Sequence, residues 1–192
     1  MIISRKQVER IAMDSDNSVI YAVHELIKNG DLSGAQSLLN KNFDESDATA
    51  SSLRGYLLIN SNADVSTHIQ ASKLFRIGAE IGRSYDQREL GIILVKLGET
   101  SAALEWFKKA SMQGDSEASL EIYWILNAQK KIEALDYLNS AHFQGNARAT
   151  QIMAIEKIKG RYGVKSVLSG VKTYFINIPN LVRYVKNRSR IT

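Results

Sequence analysis

Apolar residues recur at spacings of three and four along almost the whole chain, and no segment sustains the two-residue alternation of a half-buried strand. This periodicity predicts helices over about 4–13, 17–29, 33–42, 47–60, 67–81, 85–97, 100–112, 116–128, 131–143, 147–159, 163–177 and 180–188. Gly30, Gly82, Gly98, Gly114 and Gly145 each follow such a run, where a residue without a Cβ can take the left-handed backbone that stops a helix. The stretch Ser61–Thr67 reads as the longest loop, and Pro179, the single proline, should end or kink the helix before it.

Superimposed on the helical period is a longer one. Ala71-Ser-Lys-Leu-Phe75, Ala103-Leu-Glu-Trp-Phe107 and Ala134-Leu-Asp-Tyr-Leu138 align without gaps, 32 and 31 residues apart. Each block has bulky residues three and four positions after the alanine, a small residue at the seventh (Gly78, Ala110, Ala141) and glycine at the eleventh (Gly82, Gly114, Gly145). A weaker copy starts at Ala35, 36 residues before Ala71, with Ser46 in place of the glycine. A second column, Gly55, Gly91, Tyr123 and Ala154, follows in register. The offsets place the alanines and bulky residues on one helical face, so each repeat is an antiparallel helix pair. Such a pair buries its apolar face only by stacking on a neighbour. The fold class expected is all-α, an α/α superhelical solenoid of about four tandem repeats, with capping helices. The array, with its N-terminal capping helix, should cover 1–160, and 161–192 should form a basic amphipathic helical extension.

These columns resemble a known family. Leu90-Gly91, Gly98, Ala103, Trp106, Lys109-Ala110, Gln113-Gly114 and Ala118 look like the Sel-one-like repeat, a relative of the tetratricopeptide repeat. The next copy keeps Ala134, Tyr137, Ala141, Gln144-Gly145 and Ala149 but has Met153-Ala154 where the family has Leu-Gly. The resemblance spans about residues 16–165. It implies a bacterial protein-binding adaptor, with cell-envelope or surface-polysaccharide machinery as one setting that such repeats serve; it names no partner.

Charge divides the chain unevenly. From Lys157 to Thr192 there are nine basic residues and no acidic one, leaving 16 Lys and Arg against 20 Asp and Glu before them. The tail therefore favours an acidic partner, an anionic surface or the acidic body. With no cysteine, disulfides, thiolate metal sites and a cysteine nucleophile are excluded. No apolar leader and no run long enough to span a bilayer are visible, so the expected location is cytoplasmic or at the inner face of a membrane.

Chemistry-bearing patterns are sparse. His24, His68 and His142 have no ligand partner at helical spacing and read as surface or structural residues. Gly160-Arg-Tyr-Gly163-Val-Lys165-Ser166 lacks the spacing of a phosphate loop. Glu117 and Glu121, four apart on a helix, read as a solvated face. No catalytic residue, metal site or cofactor is assigned, and the chain reads as a non-enzyme. The repeat phase places Trp106 and Tyr137 in the core. Trp124 aligns with Tyr56, Ile92 and Ile155, a bulky column that either packs between repeats or lines the inner surface, packing being favoured. Arg54, Arg88, Glu121, Trp124 and Gln151 are the candidate contacts to a protein or peptide on the inner face, formed by the first helix of each repeat.

In the tail, Val164, Val167, Leu168, Val171, Tyr174, Phe175 and Ile178 form an apolar stripe. Three readings compete. The stripe could cap the last repeat. It could lie at an anionic bilayer, with Lys172, Arg183, Lys186, Arg188 and Arg190 meeting lipid headgroups or another acidic partner, making the chain a peripheral membrane scaffold. Phosphate contact by a nucleic-acid-binding arm ranks last, because the body is acidic and no base-reading motif accompanies the tail.

Overall fold

The structure, a computed structural model, describes residues 16–61 and 64–188, with backbone alone at 16, 180, 181 and 183–188. Among the described residues there is no strand. The helices are α1 (Asp16–Lys28), α2 (Leu32–Asn42), α3 (Ala48–Ser61), α4 (Val65–Glu80), α5 (Ser84–Lys96), α6 (Thr100–Met112), α7 (Ser116–Ala128), α8 (Ala134–Phe143), α9 (Ala147–Ile158) and α10 (Val167–Arg188), with a 3-10 turn at Val164–Ser166. The all-α class and its consecutive helix pairs are as expected. The helix predicted over 4–13 lies outside the described residues. The chain divides into two compact units, the first running to Glu99 and the second from Thr100.

Within each unit, short connections turn successive helices back along one another. Five helix starts are fixed by side chains: Asp31, Asp47, Asp64, Asp115 and Asn146 each accept the N–H three residues on, at 2.7–3.0 Å. Such a cap contributes about 1 kcal/mol. The ends use the predicted glycines. Gly82, Gly114 and Gly145 have φ of +96°, +87° and +82°. The next residues, Arg83, Asp115 and Asn146, donate back to the carbonyls of Gly78, Ala110 and Ala141 at 3.0–3.1 Å. After α7 the same turn is made without glycine: Lys130 takes φ +56°, and Lys131 N–H reaches the Leu126 carbonyl at 3.0 Å. Helix α8 then starts at Ala134 rather than at 131.

In the first unit a core forms from Val19, Ala22, Val23, Leu26, Ala35, Leu39, Ala50 and Leu57. In the second, Leu120, Tyr123, Ala134, Leu135, Leu138, Ala141, Ala149 and Met153 do the same. The repeat alanines Ala35, Ala71, Ala103 and Ala134 are fully buried, as are Leu39, Phe75, Phe107 and Leu138 four residues on. Burying each of those larger side chains contributes about 2–3 kcal/mol. The column three residues on behaves differently. Leu38, Leu74, Trp106 and Tyr137 are only half-buried, so Trp106 and Tyr137 are not central as expected, although Tyr137 still packs against the second unit's core. Adjacent helix positions point about 100° apart, so one column reaches the centre and the other its edge. Lys109 Nζ lies 3.9 Å from the Trp106 ring centroid, a cation–π contact on that edge.

Helix α10 departs from expectation twice. It is one helix from Val167 to Arg188 with Pro179 inside it. Proline removes one main-chain donor, and Pro179 is exposed, where water can satisfy the carbonyl left over. Its inward face also takes only part of the apolar stripe, Val167 and Tyr174 being half-buried. Gly170 packs on α9 so closely that a Cβ there would lie 2.8 Å from the Ala154 carbonyl oxygen and from Lys157 Cβ. Asn177, one heptad later and buried, donates to the Ala147 carbonyl at 2.8 Å. Close backbone approach thus selects the glycine face, and Val164, Leu168, Val171, Phe175 and Ile178 point away from α9, exposed.

Candidate functional site

The first unit contains an open groove of about 600 Å³ between the end of α2, α3 and α4. Its origin is the weak first repeat. Lacking a glycine at the eleventh position, α2 ends instead on Phe43 in extended backbone, with φ −131° and ψ 141°. The turn beyond is held by Asp44, whose Oδ1 accepts Ser46 Oγ at 2.7 Å and the N–H groups of Ser46 and Asp47 at 2.9 and 3.0 Å. Those bonds, Ser46 first, hold the Asp44 carboxyl below its ordinary pKa. Arg54 of α3 completes the closure. Its guanidinium donates to the carbonyls of Asp44 at 2.8 Å, Leu39 at 3.1 Å and Phe43 at 2.8 Å. A cation on the carbonyls at a helix C-terminus is favoured by hydrogen bonding and by the helix dipole.

The groove's apolar wall is Phe43, Leu58, Leu74 and Ile77, all half-buried. Its rim is polar and exposed: Asn40, Asp44, Glu45, Gln70 and Lys73. Apolar anchors beside amides and both signs of charge suit a peptide better than a small charged metabolite.

Arg54 is therefore part of the groove, buried and tied to the carbonyls that shape it. Arg88 lies outside it on α5, 3.0 Å from Glu89 and stacked over Tyr85 at 5.1 Å. The other candidates belong to the second unit. Glu121 is half-buried on α7, and Gln151 is buried on α9 with its Oε1 unpaired. Trp124 is 41% exposed, its ring 4.9 Å from that of the buried Tyr123. Exposure of that size favours the surface alternative for Trp124 over packing between repeats. Lys172 is exposed on α10; Arg183, Lys186 and Arg188 lie on the same helix with side chains outside the described residues, as is the whole of Arg190. Asn40, Phe43, Gln70 and Lys73 escaped the sequence reading. The signal was there in the departure of the first repeat from the others: a longer period, and serine for glycine.

Glu117, His142 and His68 each have a structural partner. Glu117 Oε1 accepts from Asn146 at 3.0 Å and Glu117 Oε2 pairs with Arg148 at 3.4 Å, joining the starts of α7 and α9. His142 Nδ1 is 2.8 Å from Thr150 Oγ1, and burial lowers its pKa. His68 Nδ1 is 2.7 Å from the Asp64 carbonyl. Among the described residues no three acidic or histidine side chains are grouped to hold a metal ion, and no helix is long and apolar enough to cross a membrane.

No family profile and no curated protein matches the chain. Solved structures do. A Sel1 repeat protein from Oxalobacter formigenes superposes with a TM-score of 0.69 at 21% identity, over 84% of this chain and 68% of that one. MamA gives 0.58 at 17% identity, over 76% and 88%. YrrB, described as a tetratricopeptide repeat protein with an unusual peptide-binding site, gives 0.59 at 18% identity, over 98% and 100%. At these identities the likeness is one of fold. The chain has the helix-pair repeat fold of the Sel1-like and tetratricopeptide repeat proteins, the architecture implied by its columns of small residues.

Proposed function

We propose that the chain is a non-catalytic adaptor that docks a peptide or helix of a partner protein in the groove of its first unit. The observation that carries this reading is the groove itself, a half-buried apolar wall from Phe43 to Ile77 under an exposed polar rim. Partner apolar side chains would enter between Leu58, Leu74 and Ile77, with Asn40, Gln70 and Lys73 pairing the partner's polar groups. Arg54 acts as a wall, fixing the α2 carbonyls so that the groove is formed before the partner arrives and less ordering entropy is lost on docking. In the second unit, exposed Trp124 with Glu121 three residues before it forms a second contact patch, an aromatic anchor of the kind that dominates interface energetics. Arg88 and Gln151, internally engaged or buried, contribute to the shape of those helices. The fold's use as a protein-binding scaffold supports the reading, as does the peptide-binding description of YrrB. Cell-envelope or surface-polysaccharide machinery is the setting suggested by the repeat resemblance.

Affinity capture with full-length protein, quantified by mass spectrometry, tests the groove. Lys73→Glu combined with Leu74→Ala should lower recovery of the specific partner by about tenfold or more, the loss expected at an interface anchor. Equal recovery by the variant, with an unchanged circular-dichroism melt, would remove the groove from the interaction.

A further inference from the structure

The C-terminal helix presents a second surface of different chemistry. With Gly170 and Asn177 turned to α9, the opposite side of α10 and its preceding turn carry Val164, Leu168, Val171, Phe175, Ile178 and Val182 at alternating spacings of four and three. All six are exposed, Val164 and Leu168 to 86% and 84% and Phe175 to 67%. The stripe is about 27 Å long at 1.5 Å per residue. Beside it Lys165 and Lys172, one heptad apart, are exposed, and Ile176 lies beyond Lys172, 63% exposed. No acidic residue occurs between Lys157 and Thr192, against nine basic ones. A protein chain in water rarely leaves so many large apolar side chains along one line uncovered.

We propose that this outward face of α10 docks on an anionic lipid bilayer surface, lying in the headgroup plane. Three observations select that occupant. The charge is of one sign along the whole segment, which complements an anionic boundary. A second copy pairing α10 with α10 in antiparallel register would bring the lysine edges together, like charge on like. A single partner helix seated in the four-three stripe would leave Ile176 uncovered, whereas a flat boundary tangent to the helix takes the stripe, Lys172 and Ile176 together. Lys165 and Lys172 can lay their aliphatic stems among Leu168, Phe175 and Ile176 while the ammonium groups stay at the phosphates. No described helix crosses a membrane, so the contact is interfacial. This surface lies in the second unit and does not depend on the groove of the first.

Flotation of the full-length chain with vesicles tests it. At low salt the protein should float with vesicles of phosphatidylglycerol and phosphatidylcholine, stay unbound with phosphatidylcholine alone, and be released as salt is raised. Leu168→Ser with Phe175→Ser should weaken recovery by about a hundredfold, from the apolar area lost. Lys165→Glu with Lys172→Glu should weaken it by at least about thirtyfold, from the charge lost. Lys41→Glu, an exposed change in the first unit, should leave it unaltered. All these positions are exposed, so equal thermal melts are expected. Absence of the wild-type chain from anionic vesicles at low salt would overturn the proposal. So would recovery indifferent to Leu168→Ser with Phe175→Ser, or a dimer dissolved by those changes in a chain that binds no vesicle.

Discussion

The carboxylate of Asp86 occupies the space that a methyl group at position 78 would fill. Asp86 is fully buried, accepts Ser52 Oγ and lies 3.0 Å from Arg83 Nε, and burial pushes its carboxyl above the ordinary range against those two partners. A Cβ built on Gly78 would overlap its Oδ2. At the same two positions the later repeats carry Ala110 with Ala118 and Ala141 with Ala149, all buried. The glycine–aspartate pair and the alanine pairs are thus alternative solutions to one helix–helix contact. Gly78→Ala alone should destabilise the first unit by about 2 kcal/mol through overpacking. In an Asp86→Ala background the same change should be neutral or stabilise by about 0.5–1 kcal/mol, since alanine is the better helix former. A double-mutant cycle by urea unfolding measures that difference directly; additive effects would contradict the shared contact. Lys130 is the converse case, a side chain in a left-handed turn that glycine fills after other helices. Lys130→Gly should raise stability by about 0.5–1 kcal/mol, read as a higher melting temperature, because the left-handed strain of a Cβ is removed.

Among the elements, what could be read in advance follows from what each signal measures. Helical periodicity and stop glycines are local, and α6 and α7 fall where the pattern predicts them. Partner choice is not local. The tail's spacing announces an apolar stripe but is silent about which face meets α9. Gly170 decides that, by allowing a backbone approach that no larger residue would permit. Likewise Arg54 was legible as a basic residue on a repeat helix, a candidate for an outside partner. Its bonds to Leu39, Phe43 and Asp44 bridge the end of α2, ten to fifteen residues away, and no periodicity encodes them. Residues three and four after the repeat alanine share a general face, yet only the fourth reaches the centre.

Across the molecule, the two surfaces differ in kind and in how they arise. The groove exists because one repeat departs from the pattern of its neighbours. The outward face of α10 exists because the contact with α9 consumed the small and polar side of that helix. One is a mixed-charge cleft suited to protein, the other an apolar and basic strip suited to anionic lipid. An adaptor with both would hold a partner near a membrane surface without spanning it. The groove is built into the free chain by Asp44, Arg54 and the stacked helices around them. Hydrogen exchange of the isolated full-length protein, followed by mass spectrometry, tests this most directly. Amides of α2, α3 and α4 should exchange as slowly as those of α8 and α9 with no partner present. Exchange of α3 and α4 at unprotected rates, slowed only when a partner is added, would contradict it.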